Sequence, residues 1–185
     1  MLCVALQVLA VDTLPGSTFE ATVREQGRAA SQLLMTRLGA RLKAAIQEGG
    51  VSAAVDACHL EAQPLTAQTS TDLGIRVGRT ALRVRNPVNA PDAWETAQLE
   101  RFQAQLAAGV LPDQLEAIEH VQSSGGESSW RYMKPIMTGG LCLNCHGDTL
   151  QPEVAELIRA RYPSDEAVGF SAGELRGAFT ITIPE

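Results

Sequence analysis

Cys142-Leu143-Asn144-Cys145-His146 sets two cysteines three positions apart and follows them at once with a histidine. This spacing is the attachment pattern of a c-type haem. Two thiols placed this way reach the two vinyl groups on one edge of a porphyrin and form thioethers there. The next residue, His146, is then held under the ring, where an imidazole nitrogen can bind the iron. A zinc half-site and a thioredoxin-like redox pair are the competing readings. The first needs a second Cys or Cys/His pair, and the sequence has none. The second has no need of His146. The expected cofactor is therefore one covalent haem c, held by Cys142 and Cys145 with His146 as an axial iron ligand.

Working outward, the 185 residues suggest one domain. An apolar fraction of 45% supports a core, and only 4% aromatics means that core is mostly Leu, Val, Ile and Ala. A net charge of −6 argues against nucleic acid or an anionic membrane surface as the main partner. The other two cysteines are Cys3 and Cys58. Cys3 lies in Leu2–Val11, an apolar run like the h-region of a secretory signal, with no Lys or Arg before it and too short for a membrane span. Residues 1–16 are accordingly read as a signal-like or truncated signal segment, and 17–185 as the domain. Haem attachment outside the cytoplasm also favours a periplasmic or otherwise extracytoplasmic location. Removal of the segment leaves Cys58 as the one thiol without a disulfide partner.

Ser17 and Glu20 form a capping-box pattern. Phe19, Val23, Ala30, Leu34, Leu38, Leu42 and Ile46 then recur at helical spacing until Gly49-Gly50 stops the helix. This first helix is long for a small domain and offers a face for a homodimer. A second helix runs from Val51 to about Leu65, with Val51, Ala54, Val55, Cys58, Ala62 and Leu65 on one face. Cys58 points inward and His59 lies at the margin. Cys58 is thus either a small core residue or a sixth iron ligand.

Residues 66–72 read as a polar loop. Ile75–Val77 and Leu82–Val84 read as strands with one polar face. Arg76, Arg79, Arg83 and Arg85 crowd this region, and guanidinium suits the two haem propionates, so they are candidate propionate contacts. A helix follows from near Pro91 to near Gly109, with Trp94 on its apolar face. Leu115–Val121 and Ser129–Ile136 read as a hairpin, Pro152–Arg161 as a short helix, and Gly177–Ile183 as a last strand. His59, His120, Met133 and Met137 are rival axial ligands.

The arrangement resembles a family of bacterial c-type haem proteins with a PAS-like domain. The resemblance rests on Ala57-Cys58-His59, on 74–80 (GIRVGRT) and on the Arg85-Asn86-Pro87 to Trp94-Glu95 stretch. It continues through Arg131-Tyr132-Met133-Lys134-Pro135-Ile136, Cys142 to Gly147, and Leu175-Arg176-Gly177-Ala178. It covers residues 17 to 184 in one order. It implies an α+β fold, a PAS-like antiparallel sheet flanked by helices with a long N-terminal helix. It also implies His/Cys iron ligation by His146 and Cys58.

The functional expectation is a non-enzymatic redox or diatomic-gas sensor that takes CO or NO and passes the signal to a partner protein. The main alternative is a low-potential electron-transfer cytochrome with a redox partner. A peroxidase, with His59 as its distal group, and a structural haem in an interaction module rank below these.

Overall fold

The computed structural model describes residues 15–123 and 125–185. The signal-like segment and Cys3 lie outside them. The fold is α+β, with one antiparallel sheet covered by helices on both faces, consistent with a PAS-like domain.

Helix α1, Pro15–Leu73, is long enough to fold back on itself, and it does so at Gly49–Gly50. Gly50 has φ 71°, a conformation that a side chain would strain. The two glycines therefore do more than end a helix. They join two arms, 15–48 and 51–73. The helix begins at Pro15, so Ser17 lies inside it and is not its cap. Pro at the first helical position costs no hydrogen bond.

Residues 66–72 are helical rather than a loop. Their polarity is absorbed locally. Thr66, Thr69 and Thr71 donate their hydroxyls to the carbonyls of Ala62, Leu65 and Ala67, four residues back, at 2.7, 2.8 and 3.1 Å. Thr69 is fully buried and also accepts from Arg37 at 3.1 Å. A polar stretch can thus stay helical when its hydroxyls bond within the helix.

The sheet has the order β1-β4-β3-β2, with every pair antiparallel. Its strands are β1 (Arg76–Thr80), β2 (Ala117–Gln122), β3 (Ser128–Met137) and β4 (Leu175–Pro184). Pro135 is tolerated in β3 because β2 pairs only as far as Met133, so that side of the strand needs no donor there. The expected strand at Leu82–Val84 is absent; the chain bends away after Thr80. Gly177 on β4 sits so close that a Cβ there would meet the Thr80 carbonyl at 2.4 Å.

Alternation along the strands divides the core in two. Phe179, Ile181 and Ile183 of β4 and Tyr132 of β3 face the first arm of α1, where Val23, Ala30 and Leu34 meet them. Met133 and Ala178 face the other way, onto α2 (Ala93–Ala107), which contributes Leu99 and Phe102. Each fully buried Leu or Phe of this kind contributes about 1.5–3 kcal/mol. Asp92 and Glu95 cap α2 reciprocally, at 2.8 and 3.1 Å. A short helix α3 (Leu143–His146) precedes α4 (Pro152–Arg161), and α4 packs Val154 and Ile158 against Val55 of the second arm.

Two contacts fix the first arm to the sheet. The Tyr132 ring lies directly on Gly27, where an added Cβ would come within 2.4 Å of it. The Tyr132 hydroxyl donates to Glu116 at 3.0 Å, and Glu116 also takes Arg24 and Arg28 from α1. Burial alone would raise the Glu116 pKa, but the hydrogen bonds from Arg28, Arg24 and Tyr132 outweigh it and hold the carboxyl at about 2.

Replacing Gly27 with Ala should displace Tyr132 and cost about 1–3 kcal/mol, measurable by denaturant unfolding. Because the folded Glu116 pKa lies below the ordinary value of 4.5, its contribution is fully present above about pH 4.5 and is lost as pH falls towards 2. The stability-versus-pH slope over that window should be shallower in Glu116→Gln than in the wild type.

Candidate functional site

A cavity of about 340 Å³ lies between the two arms of α1, the 79–86 segment, α3 and the start of β4. Leu38, Leu42 and Ile46 line it from the first arm, and Val51, Ala54 and Leu65 from the second. These are the apolar stripes that continue each helical face. The lining is mostly apolar, and its exceptions are chemically pointed.

Cys58, Cys142, Cys145 and His146 all face this cavity. Cys58 comes from the second arm, more than 80 positions from the motif, so only the fold brings the four together. Its accessible surface opens onto the cavity. Desolvation pushes the Cys58 thiol pKa up, and the guanidiniums of Arg79, Arg85 and Arg41 pull the other way. Burial likewise raises that of Cys145, against Arg85.

His146 is set up in one tautomer. Its Nδ1 lies 2.7 Å from the Ala167 carbonyl oxygen, which can only accept, so Nδ1 carries the proton. The Nε2 lone pair is left for a metal. Burial first, then the charges of Arg176 and Arg85, lower the imidazole pKa to about 3. The ring is neutral across the physiological range, as a metal ligand must be.

One arginine holds this geometry. Arg85 donates through Nη2 to the Cys145 carbonyl at 2.6 Å, to Asp165 at 3.0 Å and to the Ala167 carbonyl at 3.1 Å. Asp165 also accepts from the Ala167 amide at 2.9 Å. The motif is tied further along, where the Phe170 amide donates to the His146 carbonyl and the Gly169 amide to Gly147, each at 2.9 Å.

The four candidate arginines separate. Arg79 and Arg85 line the cavity; Arg76 and Arg83 do not. Arg76 lies on the sheet-edge strand and donates to Thr182 at 3.0 Å. Arg83 donates to the Val168 carbonyl at 2.9 Å and stacks on Phe170. Arg85 is committed to the tether. Arg79 differs from all of them. It is half-buried with its Nε shielded from solvent, and among the described residues its guanidinium takes part in no hydrogen bond or ion pair. A guanidinium partly shielded from solvent and without a partner is costly unless an anion meets it.

The rival ligands are elsewhere. His120 sits on β2, 3.0 Å from Glu185, and Met133 is buried against α2. Met137 does not line the cavity. His59 packs edge-on to Tyr162, with ring centroids 5.0 Å apart, just outside it. Trp94 packs with α2 and under Arg131, away from the cavity. Sequence reasoning passed over Arg176 and Tyr162, both of which line it. Arg176 had a readable signal, an arginine beside Gly177 at the head of an otherwise apolar strand.

Among the described residues no three His, Cys, Asp or Glu side chains converge to hold a bare metal ion. The donor set instead suits a flat, largely apolar ligand with a metal at its centre and carboxylates at its rim. Haem has that profile: thiols for its edge, a neutral imidazole for its iron and Arg79 for an anionic group.

The chain belongs to the Tll0287-like family, whose description matches residues 17–184. Among solved structures it is similar to that of the cyanobacterial heme-protein Tll0287, with 24% identity and a TM-score of 0.58. The match covers 94% of this chain and 98% of the other. That likeness establishes the shared fold. No curated protein matches this sequence.

Arg85→Ala should leave the Asp165 carboxylate and two carbonyls without their donor and cost about 3–5 kcal/mol. Hydrogen exchange should accelerate at residues 143–147 and 165–170 while the β3–β4 pairing stays protected.

Proposed function

We propose that the cavity holds one haem c, joined to Cys142 and Cys145, with His146 Nε2 and Cys58 Sγ as the two axial donors. We propose further that the protein is an extracytoplasmic, non-enzymatic sensor of redox state or of a diatomic gas such as CO or NO. The observation that supports this best is the convergence of Cys58 with the distant Cys142–His146 motif on one apolar cavity beside an unpaired, half-buried arginine. The family carries the name of a protein whose solved structure is described as a heme-protein.

Haem supplies an iron that changes charge by one electron and accepts a diatomic ligand where a coordination position is free. The chain's residues divide the remaining work. The Ala167 carbonyl keeps His146 in the Nδ1-protonated tautomer. Arg85 holds the Cys145 carbonyl against the 165–167 segment, so the motif cannot rotate away. The apolar faces of both α1 arms exclude water. Arg79 meets a carboxylate; of the four arginines singled out in the sequence, it is the one that lines the cavity with its charge unmet.

Cys58 is the residue suited to respond. Burial favours its neutral thiol, whereas the nearby guanidiniums favour the thiolate, so the two forms are opposed by different parts of one site. Cys58 rides on the second arm, beyond the Gly49–Gly50 reversal. A change in its sulfur contact therefore bears on an arm already jointed at glycine, and a signalling partner would read the position of that arm. A homodimer through the first arm is one way to present it.

The test is an absorption and EPR comparison of haem-loaded wild type and Cys58→Ala, ferric and then reduced. The ferric wild type should show a low-spin thiolate signature that the variant lacks, and CO should bind the wild type only after reduction. Identical spectra would remove Cys58 from the iron. A reduced wild type that stays six-coordinate and ignores CO would leave the electron-transfer cytochrome as the better reading.

A further inference from the structure

A second cavity, of about 380 Å³, lies between α2, the 82–83 bend, Phe170 and the first residues of β4. It shares Arg176 and Gly177 with the first cavity and is otherwise lined by different residues. Its volume is in the range of small-molecule sites. Leu82, Leu99, Leu106 and Leu175 give it an apolar floor. At one end, the guanidiniums of Arg83 and Arg176 both lie against the Phe170 ring, 3.6 and 5.1 Å from its centroid.

The charges here are not balanced. Arg176 donates to the Arg83 carbonyl at 3.2 Å, and among the described residues it forms no ion pair. Arg83 has Glu174 at 3.8 Å, an exposed pair too long for a hydrogen bond. Two guanidiniums against one carboxylate leave a single net positive charge above a strip of leucines. Glu174 would repel a second negative charge.

We propose that this groove binds a small amphipathic monocarboxylate, with its carboxylate between Arg83 and Arg176 and its apolar chain along Leu82, Leu99, Leu106 and Leu175. A guanidinium pair suits a carboxylate. The leucine floor disfavours fully polar anions such as phosphate. The groove also adjoins the primary site, because the Phe170 ring stands edge-on to His146 at 6.3 Å.

The experiment is calorimetric titration of the purified, haem-loaded full chain with hexanoate, beside 1-hexanol as the neutral analogue. Hexanoate should bind saturably at one site, and hexanol at least about tenfold more weakly. Arg83→Gln and Gln103→Glu, both at exposed positions on the rim, should each weaken hexanoate by about tenfold or more. Their circular dichroism should match the wild type. The proposal is overturned by an absence of saturable binding, by hexanol binding as tightly as hexanoate, or by affinity undiminished in both folded variants.

Discussion

The reversal of α1 at Gly49–Gly50 is the constraint on which the rest of the architecture depends. A straight helix of 59 residues would span far more than the width of this domain. Folded back, it lays two apolar stripes side by side, and the cavity that Cys58 faces is the space between them. A bidentate ion pair sets the alignment of the arms: Arg41 meets Glu61 through Nε at 2.6 Å and Nη2 at 2.7 Å. Arg37 repeats the arrangement toward the reversal-distal end with Asp72 at 2.7 Å. These pairs are partly exposed, so their net energy is small. Their effect is on register, which decides that Cys58 rather than a neighbour faces the motif.

Within the cavity, electrostatics and desolvation work against each other in a consistent way. Arg79, Arg85 and Arg176 place positive charge around a weakly solvated space, and the pKa of His146 falls in response to both burial and those charges. Arg85 is neutralised by Asp165 and by carbonyl dipoles, so it serves as scaffold. Arg79 has no such compensation. The division between a scaffold arginine and a ligand-seeking one follows from their partners, not from their spacing in sequence.

Much of this was legible in the residues themselves. The Cys142–His146 spacing implied its own chemistry, and the three- and four-residue rhythm around Cys58 placed that thiol on the inward face. The hairpin, α4 and β4 followed from alternation and turn residues. What stayed hidden depended on contacts far apart in sequence. Residues 66–72 looked like a loop because Thr and Ser are polar, and their helical state rests on hydroxyl-to-carbonyl bonds within α1 and on burial of Thr69. Leu82–Val84 alternated like a strand, but the chain bends away after Thr80 and its carbonyls bond elsewhere, Val84 accepting from the Glu166 amide and Arg83 from the Arg176 guanidinium. The sorting of Arg76, Arg79, Arg83 and Arg85 could not be read in advance, since all four share one short segment and differ only in what the fold packs beside them.

The strand order has a consequence for how the chain assembles. β4 follows the other three strands in the sequence but is an interior strand of the sheet, pairing with β1 on one side and β3 on the other. The β1–β4 ladder joins Arg76 to Thr182, 106 residues away. No portion of the polypeptide before β4 can complete the sheet, so the first arm of α1 lacks its Phe179, Ile181 and Ile183 contacts until β4 is in place. Such high contact order slows folding and makes it a late, concerted event. The helical hairpin and the motif-bearing segment would then meet around their cavity only as β4 slots between β1 and β3.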